Sequence, residues 1–320
     1  MMHAPQERGS ALIVVLGLVA VIAGWAASAA YEDMLSLRRA ENSQATSRAE
    51  LASASVLALA KQGLIHDAKI SQTDDLDEEW AQPTPPFPVD DGLVSATLED
   101  ANRYLNVNDL VDAQGVAAPA VVQLFKRLFL DLQLEPSLVD ALVDWIDVDT
   151  IPSGVGGAED NSYFDQPYRV KNTPLDRWQE LQMVRGFDAK TVHLLEAYLR
   201  VWPVVGNMSH VNINTAHQTI LLNMFPLMNS ADAMELLNGR PYSALTMQSA
   251  AWAQGAEAQA MFSRLSVVSD TFIVRTHAIF GHADWQEVYG LARQGVTITA
   301  LWRERILWQM PIPSNKVGQP

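Results

Sequence analysis

The run RGSALIVVLGLVAVIAGWAASAAY, residues 8–31, decides how the rest of the chain is read. Residues 11–30 are twenty positions without a charge. At about 1.5 Å per residue, a helix of that length crosses the roughly 30 Å hydrocarbon core of a bilayer. No breaker follows it. Gly and Pro are absent from Tyr31 to Gln62, where Ala, Leu, Glu and Arg dominate. The pattern predicts one continuous helix, apolar at its start and amphipathic later, with a transmembrane segment over 10–31 and a stem over 32–70.

A basic residue and two small ones, Arg8-Gly9-Ser10, directly abut the apolar helix. This resembles the type III signal of type IV pilins and type II secretion pseudopilins. The resemblance implies a leader of residues 1–9, cut between Gly9 and Ser10 by a prepilin peptidase on the cytoplasmic side, with the apolar segment retained. The family has a glutamate at the fifth mature position, where this chain has Val14. The subgroup lacking that glutamate is the minor pseudopilin K family. On this segment alone two other readings stay open. One is a secretory signal peptide with a cleavage box at Ala27-Ser28-Ala29, although the apolar run exceeds the usual h-region of about 7 to 15 residues. The other is a plain N-terminal anchor.

Composition bounds the remainder. With 320 residues, 48% of them hydrophobic, the chain can bury a sizeable core. Its formal charge of −15 argues against nucleic acid or anionic lipid as a partner, since both are met by clustered Lys and Arg. The absence of cysteine removes disulfides as a means of stapling an extracytoplasmic fold. A bound metal would serve instead.

Punctuation marks out the body. Residues 71–92 carry four prolines and many acids and read as an extended connector, followed by a β-like alternation over 93–100. Val121, Leu124, Phe125, Leu128, Phe129 and Leu132 then fall on one helical face, and Leu138, Leu142, Trp145 and Ile146 repeat it after Glu135-Pro136. Thr173-Pro174, Asp188, Thr215 and Ser230 are candidate starts of four further helices, the last closing near Asn238-Gly239. Three runs, 272–280, 285–291 and 296–305, read as antiparallel strands. The reading is α+β. It places a connector and first strand at 71–105, an inserted α-helical domain at 106–265, returning strands at 266–310 and a tail at 311–320. That order resembles the pseudopilin K architecture, a pilin-like fold with a long N-terminal helix and a small antiparallel sheet that carries a large all-α insertion.

Within the insertion, Asp144-Trp145-Ile146-Asp147-Val148-Asp149, then Gly154, Gly156-Gly157-Ala158-Glu159-Asp160 and Tyr163, resembles the calcium-binding loop of that family. The chemistry agrees. Calcium takes six to eight oxygen ligands on a flexible loop, and three glycines let Asp147, Asp149, Glu159 and Asp160 converge. The spacing is not that of an EF-hand, because the fifth, sixth and twelfth positions from Asp147 are Ile151, Pro152 and Ala158. Zinc is disfavoured by the lack of Cys and of a nearby His. On spacing alone, a solvated acidic loop in which Asp149 and Asp160 cap locally is the competing reading.

Residues 211–216, VNINTA, resemble the entry to a DNA-binding helix-hairpin-helix unit. The expected hairpin, Pro226-Leu227-Met228-Asn229, lacks the glycines whose amides face a phosphate, so a capping role for these residues is favoured. No His-Glu-x-x-His, Gly-x-Ser-x-Gly, P-loop or cysteine nucleophile is present. The expectation is therefore a non-enzymatic minor pseudopilin at the tip of the type II secretion pseudopilus. The resemblance implies an inner-membrane anchor, a periplasmic body, minor pseudopilins I and J as partners with H below them, and a structural calcium ion. The alternatives are a membrane-anchored calcium-dependent adhesion module and, more weakly, a secreted enzyme.

Overall fold

A computed structural model describes residues 7–82, 84–203 and 208–306, with side chains from residue 11 onward. The expected leader cut falls where only backbone is described, and residues 1–6 and the tail at 311–320 lie outside the described residues. Helix α1 runs unbroken over Glu7–Ile70, 64 residues in all. Its apolar beginning is fully exposed, with Leu12, Ile13, Val14 and Trp25 among the bared side chains. Only the later turns are covered. Ala49, Ser53, Val56 and Leu64 recur at helical spacing and are buried against a sheet.

That sheet has five antiparallel strands in the order β1-β2-β7-β8-β9. Strand β1 (Phe87–Val89) lies inside the stretch expected to be plain connector and forms a hairpin with β2 (Gly92–Asp100), the strand that the alternation over 93–100 predicts. Pro88 is tolerated there because β1 is an edge strand and one side of it needs no donor. The insertion follows, and then β7 (Thr271–Phe280), β8 (Ala283–Gln294) and β9 (Thr297–Ile306) complete a meander, as the alternation predicts. Asp100 on β2 pairs with Phe272 on β7, so the insertion leaves and rejoins the sheet at neighbouring positions. By the sheet's own pairing it occupies residues 101–270, five residues wider at each end than the 106–265 expected.

The direction of the stem fixes where that insertion sits. Ala49 and Val56 pack with Val94, Ala278, Phe280 and Trp285, whereas Leu64 packs with Phe272, Val274, Tyr289 and Leu291. The Asp100/Thr271 end of the sheet is therefore the end remote from the apolar segment. The inserted domain is mounted on top.

The insertion is built twice over. Leu105-Asn106-Val107-Asn108 and Val211-Asn212-Ile213-Asn214 open two similar halves. In the first, β3 (Leu105–Asn106) is followed by α2 (Pro119–Asp131) and α3 (Leu138–Ile146), then α4 (Ala189–Leu195), and pairs in parallel with β4 (Leu199–Arg200). In the second, β5 (Val211–Asn212) is followed by α5 (Gln218–Met224), α6 (Ser230–Asn238) and α7 (Ala256–Phe262), and pairs in parallel with β6 (Leu265–Ser266). Even the side-chain bonds repeat. Asn108 clamps the backbone of Leu175, donating to its carbonyl and accepting from its N–H, and Asn214 clamps Tyr242 in the same manner. Each clamped residue follows a proline, Pro174 and Pro241. One apolar core fills both halves.

These clamps explain where the expected helix starts fail. Leu175 is held extended by Asn108, so Thr173-Pro174 opens no helix, and a 3-10 turn begins only at Trp178. Asp188 does cap α4, but the helix stops at Leu195 because the chain must straighten to pair with β3. The Thr215 hydroxyl bonds the buried Asp100 carboxylate, which leaves His217 to cap α5. Asn229, one residue before Ser230, caps α6. The Asn residues of the VNINTA segment are thus spent on the domain itself. The Asn212 amide donates to the Asp74 carbonyl, Asp100 and Ser269, tying the insertion to the base of the sheet.

Candidate metal centre

The two halves differ in one respect. In the second, α6 ends at Asn238 and Pro241 follows almost at once; in the first, α3 ends at Ile146 and Pro174 comes far later. The extra chain is the acidic, glycine-bearing loop. It contains a single 3-10 turn, Asp160–Tyr163, so side chains must hold it.

Helix α3 does part of this. Asp140 and Asp144, one turn apart, face the loop. Asp144 accepts the Ser153 N–H at 2.8 Å through one oxygen and the Ala158 N–H at 2.5 Å through the other, and Asp140 accepts the Gly156 N–H at 3.2 Å. Lys126 balances Asp140 at 2.6 Å. Gly154 has φ +56°, and a Cβ there would stand 2.5 Å from Asp140 Oδ2, so the approach needs glycine. Beneath, Trp145 packs edge-on against Tyr163 and Tyr168, and the Tyr163 hydroxyl accepts the Arg185 N–H. Asn172, also at positive φ, donates to the Asp149 carbonyl at 2.7 Å and closes the loop's far end.

The folded loop brings together Asp147, Asp149 and Glu159, one carboxylate oxygen of each lying within 4.8 Å of the others. Asp147 and Glu159 are buried, at 3% and 6% exposure. Asp147 Oδ1 and both oxygens of Glu159 meet no donor in the protein. Burial first, and then the charges of Asp149, Asp144 and Glu159, push the Asp147 carboxyl up to about 7. Glu159 is raised for the same reasons, burial first and then Asp144, Asp149 and Asp160. Two ionised carboxylates about 5 Å apart repel by about 3 kcal/mol at an effective dielectric of about 20. Three buried acceptors without donors, in a set made only of oxygen, fit a hard divalent cation of the calcium kind.

Asp160, the fourth residue expected in the set, is not drawn into this trio. It is exposed, paired with Arg169 at 3.1 Å, and accepts the Val170 N–H at 3.2 Å. It lines, with Thr150, Glu159, Asn161, Arg169 and Asn172, a cleft of about 500 Å³ that reaches the trio at Glu159. Asp140 and Asn172 have no part in the sequence reading. The signal available for Asp140 was its four-residue spacing from Asp144 on an otherwise apolar helix; Asn172 carries none.

A family model described as type II secretion system (T2SS), protein K, matches residues 103–204, the half of the insertion that holds this loop. The type II secretion system protein K of Pseudomonas aeruginosa is 32% identical over 237 residues, 69% of this chain and 69% of that protein. The chain belongs to the type II secretion system protein K family. The Klebsiella pneumoniae member is 29% identical over 93% of this chain and 96% of its own length. Among solved structures, a chain of the GspK-GspI-GspJ complex from the enterotoxigenic Escherichia coli type 2 secretion system superposes with a TM-score of 0.72 at 26% identity, covering 83% of this chain and 99% of that one. An apolar N-terminal helix suited to a single-pass anchor precedes the body.

Proposed function

We propose that this chain is a minor pseudopilin that caps the tip of the type II secretion pseudopilus, initiating its assembly and so supporting export across the outer membrane. The observation that carries the reading is the position of the insertion. Residues 101–270 rise from the end of the sheet farthest from the apolar segment, where a subunit stacked above would have to sit. Val14 agrees. By family resemblance, the glutamate at this place meets the N-terminal amine of the neighbouring subunit already in the filament, which offsets the several kcal/mol that a carboxylate in apolar surroundings costs, and a subunit that enters first has no such neighbour. The related chain solved in complex with GspI and GspJ supports minor pseudopilins I and J as partners; in this reading H joins the tip below them. In this account the helix is held in the inner membrane, the body lies in the periplasm, and prepilin peptidase cuts between Gly9 and Ser10. The protein's work is structural, and a calcium ion on Asp147, Asp149 and Glu159, with Asp160 at the mouth, holds the long loop closed. Co-expression with I and J tests the partnership: the chain is expected to copurify with both in equal amounts, and its purification alone would refute it.

A further inference from the structure

A second acidic group lies well away from the loop, where the last turns of α1 meet the connector. Asp67 from the helix, and Asp74 and Glu78 from the connector, each place a carboxylate oxygen within 4.8 Å of the others. Arg293, on β8, sits among them. It pairs with Asp67 Oδ2 at 2.9 Å and with Asp74 Oδ2, and it spends its remaining donors on the Ser269 carbonyl. One guanidinium against three carboxylates leaves two charges uncompensated. Glu78 accepts from the Trp80 indole at 2.7 Å and from the Asp75 N–H, contacts that bring no formal charge.

The decisive atom is Asp74 Oδ1. Asp74 is 1% exposed, and while its other oxygen is held by Arg293 and the Ser269 N–H, Oδ1 has no hydrogen-bond partner. An acceptor buried in that way is destabilising unless something fills the place of a donor. Beside it is a cavity of about 170 Å³ lined by Asp67, Ser71, Thr73, Asp74, Asp270 and Arg293. There is room for an ion and its waters, and every donor atom offered is oxygen.

The geometry points to a second divalent cation site, for Ca2+, formed by Asp67, Asp74 and Glu78. Calcium suits it better than magnesium, because carboxylates from a helix end and an irregular loop give an irregular shell and magnesium demands a near-ideal octahedron. The ion joins parts that carry different duties. Asp67 belongs to the stem. Asp74 is bonded through its backbone to Val267 and Asn212 of the insertion, and through its carboxylate to the strand that bears Arg293. An ion here clamps the stem's end to the base of the domain it carries.

The site is tested in the detergent-solubilised full chain with the loop trio disabled by Asp147→Asn and Glu159→Gln, so that failure of the loop reading and failure of this one separate. Equilibrium dialysis with Ca2+ is expected to show one ion still bound in that background, and Glu78→Gln, which leaves the Arg293 pairs intact, is expected to weaken it about tenfold or more. No residual ion, or an affinity unmoved by Glu78→Gln and by Asp74→Asn, overturns the proposal. Tb3+ provides position. With Trp80 in contact with Glu78, emission excited through tryptophan is expected to fall severalfold in Trp80→Phe while the bound stoichiometry holds. Unchanged emission places the ion elsewhere and overturns the assignment.

Discussion

Removing the loop carboxylates by Asp147→Ala with Glu159→Ala is expected to abolish a calcium-dependent gain in stability while leaving the calcium-free protein as stable as before or more so. Three buried acceptors have no donor, and each ionised pair repels by about 3 kcal/mol, which the ion relieves and the double substitution removes. A ligand that binds only the folded state contributes about 2.7 kcal/mol at a hundredfold excess over its dissociation constant. For a body of this size that corresponds to a rise of about 5–10 °C in Tm. The pH dependence changes sign with the metal. Without calcium the Asp147 carboxyl titrates near 7 when folded and near 4 when unfolded, so between those values the folded state holds the extra proton and stability falls as pH rises through about 7. With calcium bound the carboxylate is held ionised, the unfolded state holds the extra proton, and stability falls as pH is lowered. Binding of the ion near pH 7 should therefore release protons from Asp147. Thermal melts of the detergent-solubilised chain, with calcium and after stripping, across pH 5 to 8 measure all of this. A stripped protein whose Tm ignores added calcium, or parallel pH profiles in the two conditions, would refute the reasoning.

Three further outcomes are expected. Gly9→Glu should leave a precursor about nine residues heavier by intact-mass measurement, because a bulky acid replaces the small residue the peptidase accepts by family resemblance; normal processing would remove that support. Leu64→Ala opens a cavity between the stem, Phe272, Tyr289 and Leu291, and should cost about 2–5 kcal/mol in denaturant unfolding of the body, whereas Leu51→Ala, on the exposed face, should cost under about 0.5. Val14→Glu should give no more pseudopili than the natural sequence when the two are counted under equal expression, since a first subunit has no partner above for the carboxylate; a clear increase would count against the tip position.

Much of the architecture was legible because it rests on periodicity. The stem needed only the absence of breakers from Tyr31 to Gln62; α2 and α3 announced themselves by a 3.6-residue stripe, and β7 to β9 by alternation between glycine turns. The duplication within the insertion was not legible. Its signature is a few residues, Asn106 and Asn108 against Asn212 and Asn214, and the long loop in one half alone breaks the period. Helix starts failed where a distant side chain claimed the capping residue, as Asp100 does with Thr215, or the backbone just after it, as Asn108 does at Leu175. In the candidate centre, Asp147, Asp149 and Glu159 could be picked out from carboxylates and glycines on one loop, but the partner of Asp160, Arg169, could not. Pairs such as Arg293 with Asp67, 226 residues apart, have no local signal at all.

The tip position is the claim on which the rest turns, and immunogold labelling of overproduced pseudopili with an antibody against the inserted domain tests it most directly. A single cluster of label at one end of each filament is expected, because a subunit stacked on top would have to occupy the place of the inserted domain. Label repeated along the shaft would contradict it.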